Sequence, residues 1–516
     1  MLRRAALAAG LSTCLAAAVT VAPLGLASAT TSPEGPTVVN GCLTSVPDPG
    51  TSEKVKICYS LFRPAGVSAQ KRVPLLMHSH GWGGQRTKDA ASFQEFLDAG
   101  YGVLSYDQRG FGESGGQAYV ENPRVEGHDV RKLVRLISTL GWVRQDGPGD
   151  PRMGAVGGSY GGGNQFLAAF EELRTKGKPV LDALAPEITW NDLSRSLAPE
   201  DVVRTEWAAA LSAAALRSDS LPPKIYKALV EGAATGTWPD GSIPGTENLD
   251  RFFKRNGPKW HVSHGRKLDI PVLFGQGTTD GLFNLQQGLT NWRKAITADA
   301  RKRSIFVGYN GGHVLPQVFP QGVSVTSDPC SKKLAGNDFR ALSIRFFDEM
   351  LKGRDTGLTG YGKLHIATPD STCTTVKNAG PDETRDLGTV ASPSSGGAPI
   401  AYEIAQGPLR IAGSSHLTGR LSSTPGSRAF YGLGIGSSPA DVTLVQNNVM
   451  PINVTELADG TERVRVELPA VAVDVPEGQQ LYLVVSAVSD TFAGMSSRVP
   501  GVVVLDETTV HLPVYR

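Results

Sequence analysis

An excess of charge of either sign is what this sequence lacks. Its 51 lysines and arginines face 49 aspartates and glutamates. The two arginines nearest the start, Arg3 and Arg4, belong to a segment expected to be removed, and without it 49 charges of each sign remain. A chain so balanced carries no electrostatic footprint for nucleic acid or anionic lipid. Long apolar runs are missing too: beyond the first 29 residues no stretch of about 18 apolar residues could span a bilayer. Histidine, at nine residues, is scarce. His78 and His80 form the only pair that suggests a metal, and they have no carboxylate or third ligand at supporting spacing. No metal or cofactor is expected. Cysteine is sparse at five.

The N-terminal segment combines Arg3 and Arg4, an Ala/Leu/Val-rich stretch broken by Gly10, Thr13, Pro23 and Gly25, and the small-residue end Ala27-Ser28-Ala29. This is the pattern of a secretory signal cleaved after Ala29, with a membrane anchor and lipidation at Cys14 as lesser alternatives. Export leaves an even set of cysteines, Cys42, Cys58, Cys330 and Cys373. In an oxidising compartment they are expected as local disulfides, Cys42 with Cys58 and Cys330 with Cys373.

At 516 residues the chain exceeds one ordinary core. From residue 30 to 375, strand-like runs at Lys54 to Phe62, Val73 to His78, Gly102 to Asp107, Gly154 to Gly158, Ile270 to Gly275 and Ser304 to Tyr309 alternate with helical patterns. Val125 to Leu140 is one such helix. The alternation predicts an α/β domain with a mostly parallel sheet. An Ala-rich, Pro-broken stretch at about 190–259 is expected as a helical cap inserted over the sheet edge. Gly, Pro, Ser and Asp enrichment at 376–399 suggests a linker. Period-two segments such as Arg463-Val464-Arg465-Val466-Glu467-Leu468 predict a β-sandwich, jelly-roll-like, over 400–516.

The strongest chemical signal is Gly157-Gly158-Ser159-Tyr160-Gly161, between a short strand-like run and a helix-like one. That context makes Ser159 the expected nucleophile of a strand-turn-helix elbow. A second G-x-S-x-G at Gly112-Glu113-Ser114-Gly115-Gly116 lies in a polar loop with no helix after it, and Ser114 is read as structural. A serine needs a base and an orienting acid, which in this architecture follow on later strand ends. Asp280 follows the run ending at Gly275, and His313 follows the run ending at Tyr309. Asp240, Asp269, His261 and His264 stand at the wrong places in that order. The backbone amides of Tyr160 and of Trp82, in the loop His78-Ser79-His80-Gly81-Trp82-Gly83-Gly84, are the expected oxyanion donors. Trp82, Tyr160, Trp190, Trp207 and Phe283 are candidates to wall an acyl pocket.

Several stretches resemble the α/β-hydrolase group of X-prolyl dipeptidyl peptidases and cocaine esterase. They are Ser105-Tyr106-Asp107-Gln108-Arg109-Gly110-Phe111-Gly112-Glu113-Ser114-Gly115-Gly116, the elbow, Arg345-Phe346-Phe347-Asp348-Glu349-Met350-Leu351-Lys352-Gly353, and Pro476-Glu477-Gly478-Gln479-Gln480-Leu481-Tyr482-Leu483. The resemblance implies an acyl-enzyme mechanism on a small ester or short peptide. Members of the group often place a tyrosine hydroxyl where this chain has Trp82. A dipeptidyl peptidase also needs an acid for the substrate amine, for which Glu187, Asp192 and Glu206 are candidates. The competing class is a non-catalytic extracellular binding protein. Oligomeric state is not legible.

Overall fold

The computed structural model describes residues 35–315, 325–394 and 396–515. The expected signal segment, residues 1–29, lies outside them. Ten strands form the central sheet: β1 (Thr37–Pro47), β2 (Lys54–Arg63), β3 (Leu75–Ser79), β4 (Gly102–Tyr106), β5 (Met153–Gly158), β6 (Ala183–Glu187), β7 (Leu273–Gly277), β8 (Ile305–Tyr309), β9 (Leu364–Ala367) and β10 (Cys373–Val376). Their spatial order is β1-β2-β4-β3-β5-β6-β7-β8-β9-β10. The run from β4 to β9 is parallel, while β1, β2 and β10 pair antiparallel at the two ends.

Parallel strands need crossovers, and helices supply them. The helix Glu126–Ser138 buries Val130, Leu133, Val134 and Ile137 in the core beneath the sheet. Each such burial contributes roughly 1.5–3 kcal/mol. The strand β6 escaped the sequence pattern because Ala183, Leu184, Ala185 and Pro186 include no β-branched residue. Its place between two parallel neighbours decides its conformation.

Between β6 and β7 the chain forms the helices Leu193–Leu197, Thr205–Leu216, Pro223–Thr235, Leu249–Phe253 and Pro258–Ser263. These cover the stretch expected as a helical insertion. The apolar faces of the first four join Tyr160 and Phe283 in one buried cluster, with Trp82 packed against it.

Beyond residue 380 the strands are antiparallel. One sheet runs Glu383–Ala391, Val504–Leu512, His416–Ser423, Ala458–Glu467; a second contains Ile400–Gln406, Gln480–Ser486, Arg428–Gly436 and Thr443–Leu444, with Met450–Asn453 beside Arg428–Gly436; a third pairs Leu409–Gly413 with Val471–Val475. Leu417, Val466 and Leu505 from the first meet Tyr431, Leu483 and Val485 from the second in a shared core. The expected linker at 376–399 therefore needs correction, since Glu383–Ala391 is an edge strand paired with Val504–Leu512. Its polar composition reflects an outer strand with one exposed face, and such edges are commonly built from charged residues.

Both local disulfides form, Cys42–Cys58 across the β1–β2 pair and Cys330–Cys373 between a helix and β10, spanning 16 and 43 residues of sequence. In the chain-entropy model loops of these lengths contribute about 3 and about 4 kcal/mol. Cys330→Ser with Cys373→Ser is thus expected to lose somewhat more unfolding free energy in guanidinium titration than Cys42→Ser with Cys58→Ser. Equal or negligible losses would contradict it. Among the described residues no helix is long and apolar enough to cross a membrane.

Candidate active site

Ser159 stands at the abrupt junction of β5 and the helix Tyr160–Lys176, with φ 56° and ψ −120°. An L-residue tolerates that conformation only when its surroundings enforce it. They do so through close approach: a Cβ on Gly157 or on Gly161 would run into the Ser79 carbonyl oxygen at the end of β3. The glycines on either side of the serine are therefore required by packing. The Ser159 amide donates to the Glu187 carbonyl on β6 at 3.0 Å.

Asp280 lies three residues past β7 and His313 four past β8, which are adjacent parallel strands. Their loops converge on Ser159. His313 Nδ1–H donates to Asp280 Oδ2 at 2.7 Å, and Ser159 Oγ–H donates to His313 Nε2 at 2.8 Å. A carboxylate only accepts, so the aspartate selects this tautomer and leaves Nε2 as the acceptor. Asp280 is fully buried, and its Oδ1 accepts the amides of Leu282 at 2.9 Å and Phe283 at 2.6 Å. Edges and faces of Trp207 and Phe283 flank the imidazole.

The loop after β3 passes beside the serine, where a Cβ on Gly81 would lie 3.9 Å from the Ser159 Cβ. Among the described residues the Trp82 amide has no backbone acceptor, and the Tyr160 amide opens its helix, where no intrahelical acceptor exists. The Trp82 indole N–H donates instead to the Leu211 carbonyl of the helical insertion at 2.9 Å. His80 orders this loop: its Nδ1–H donates to the Gly81 carbonyl at 2.8 Å, and its Nε2 accepts the Gln108 amide at 3.0 Å. His78 Nδ1 faces Ser105 Oγ at 3.0 Å.

Ser114 is far from this constellation in role. Its hydroxyl donates to the Asp107 carbonyl at 2.7 Å and accepts the Cys58 amide at 2.9 Å. The surrounding motif is a buried ionic brace in which Arg86 pairs with Asp107, and Arg109 reaches both Asp129 and Asp48.

An apolar pocket opens beside Ser159 and is walled by Trp82, Tyr160, Trp190, Phe283 and the insertion residues Leu211, Trp238 and Phe253. Among the described residues no carboxylate or cation lines it. Trp207, expected with the other aromatics, lies instead on the His313 side. None of the three candidate acids lines the pocket. Glu187 accepts from the Tyr309 hydroxyl at 3.3 Å, and desolvation there pushes its carboxyl up to about 7. Asp192 is paired with Lys259, and Glu206 sits on the helix Thr205–Leu216. Sequence reasoning missed the insertion's wall residues, which carry no motif. It also missed Gln446, Asn448 and Thr491, brought from the C-terminal sheets to the His313 side. Asn448 Nδ2–H donates to the Thr278 carbonyl at 3.2 Å and ties that segment to the loop bearing Asp280.

The family model for X-Pro dipeptidyl-peptidase (S15 family) matches residues 53–314. An uncharacterized 31.7 kDa protein from the traX-finO intergenic region of Escherichia coli is 34% identical over 105 residues, 20% of this chain and 35% of that relative. The chain thus spans about a third of the length of that curated relative. A crystal structure of a CocE/NonD family hydrolase from Staphylococcus aureus superposes with TM-score 0.61 at 13% identity, covering 95% of this chain and 99% of that one. An alpha-amino acid ester hydrolase gives TM-score 0.60 at 13% identity, covering 93% and 97%. At such identity the two structures show the fold, an α/β-hydrolase core followed by antiparallel sheets. With the family match extending over half the sequence and ending just past His313, the chain belongs to the X-Pro dipeptidyl-peptidase (S15) family.

Proposed function

We propose that the protein is an exported serine hydrolase that cleaves esters of uncharged, apolar acids through an acyl-enzyme. The unbroken hydrogen-bond chain from Ser159 through His313 to Asp280 carries this reading. Ser159 Oγ attacks the carbonyl carbon while His313 Nε2 takes its proton. The amides of Trp82 and Tyr160 stabilise the tetrahedral oxyanion. His313 then protonates the departing oxygen, and water activated by the same imidazole releases the acid and regenerates the serine. Asp280 remains ionised throughout and holds the imidazolium.

The substrate class follows from the pocket. An apolar acyl group gains about 25 cal/mol for each Å² it removes from water. A substrate with a free ammonium group, as in an Xaa-Pro dipeptide, finds no carboxylate there among the described residues. The family name favours dipeptidyl peptidase as the second reading, with release of Xaa-Pro from a free N-terminus. Export is supported by the two disulfides.

The test is a fluorophosphonate followed by a substrate panel. We expect labelling at Ser159, turnover of nitrophenyl esters of apolar acids, and no turnover of Xaa-Pro nitroanilides. Nitroanilide cleavage abolished by Ser159→Ala would move the assignment to the peptidase. Failure of the phosphonate to label would return the protein to the binding class.

A further inference from the structure

The two faces of the triad open on different chemistry. The apolar pocket includes Ser159 but not His313. A second, narrow cleft includes His313 but not Ser159; Trp207, Thr279, Leu315, Gln446 and Asn448 are among its walls. The histidine must hand its proton to the leaving group, so the released alcohol occupies the His313 side.

Gln446 is the unusual member of that wall. It arrives from the C-terminal sheets on the short helical turn Val445–Asn447, and its backbone, like that of Asn447, has positive φ, 55° and 50°. The residue is 2% exposed, yet among the described residues neither Nε2 nor Oε1 has a hydrogen-bond partner. Buried carboxamides are normally paired, and leaving one unpaired is costly. Strained backbone that holds such a group in place is typical of ligand clamps. By contrast, the neighbouring Asn448 carboxamide donates to the Thr278 carbonyl.

We infer that Gln446 is a specificity residue that binds a hydroxyl on the alcohol portion of the substrate, making the preferred substrate an ester of an apolar acid with a hydroxyl-bearing alcohol. The inference rests on the serine-hydrolase reading. A carboxamide both donates and accepts, and a hydroxyl matches both. The cleft walls include neither a lysine or arginine nor an aspartate or glutamate, so a charged leaving group has no counterpart among the described residues. In the step concerned the Ser159 Oγ–carbonyl carbon bond forms and the ester carbon–oxygen bond breaks. The departing alkoxide oxygen takes the proton from His313 Nε2, while its neighbouring hydroxyl remains bound to Gln446.

The experiment compares the ethyl and 2-hydroxyethyl esters of one apolar acid on the parent and on Gln446→Met, with active sites counted by fluorophosphonate titration. The parent is expected to favour the hydroxyethyl ester in kcat/KM by about tenfold to a hundredfold. Gln446→Met should erase that preference, bringing the kcat/KM ratio of the two esters to about one. It should also keep or raise Tm, because it removes an unpaired buried polar group without removing volume. Equal losses on both esters, or a parent without preference, would overturn the assignment. A parent that the phosphonate does not label would instead overturn the hydrolase reading itself.

Discussion

Ser159→Ala is expected to lower turnover of the best ester substrate by about six orders of magnitude, by analogy with serine-triad knockouts. The size of the effect follows from what remains. The Trp82 and Tyr160 amides proposed to bind the oxyanion and the apolar pocket stay in place, but the proposed nucleophile is gone. The loss should appear in kcat far more than in KM, since the hydroxyl contributes little to ground-state binding. Folding should be spared, because alanine keeps the Cβ that the elbow already accommodates at φ 56°. Steady-state kinetics with a matched Tm measurement checks both halves. Retained turnover at unchanged Tm would remove Ser159 from its proposed role.

Asp280→Asn is expected to cost about four orders of magnitude in kcat, and the hydrogen bonds say why. Oδ1 of Asp280 accepts the Leu282 and Phe283 amides, so in the variant that position still demands an oxygen. The new amide nitrogen is thereby turned toward His313 Nδ1, where the carboxylate oxygen now stands. Two donors cannot share that contact, and the imidazole is driven to the tautomer with its proton on Nε2. Nε2–H then faces Ser159 Oγ and can no longer accept its proton. Rate recovery at high pH, where hydroxide can take the serine proton, is the expected signature. A variant within tenfold of the parent at neutral pH would disqualify Asp280 as the orienting acid.

The parts of this site that were legible in sequence are those encoded by short-range pattern. An elbow needs small residues within two positions of the serine, and a strand-end acid or histidine needs only a strand before it. Ser159, Asp280 and His313 each meet such a condition, which is why their meeting could be anticipated across separations of 121 and 33 residues. The decoy Ser114 was distinguishable on the same grounds, having no helix to follow it. The strand β6 was not legible, because burial on both faces rather than β-propensity makes Ala183-Leu184-Ala185 extended. The strand Glu383–Ala391 was not legible either, because a polar edge strand and a linker share a composition.

The sequence by itself determined the α/β class, the order and spacing of the three polar residues, and the local pairing of the cysteines. Each depends on neighbours in the chain or on the alternation of strand and helix. Only the tertiary structure decided what surrounds the serine. Leu211, Trp238 and Phe253 wall the apolar pocket because the insertion folds over the elbow that carries Ser159, and Gln446 faces the histidine's cleft because the C-terminal sheets dock there. Such contacts come from packing whole elements against one another, and an apolar side chain in a helix looks the same in sequence whether it lines a pocket or fills a core.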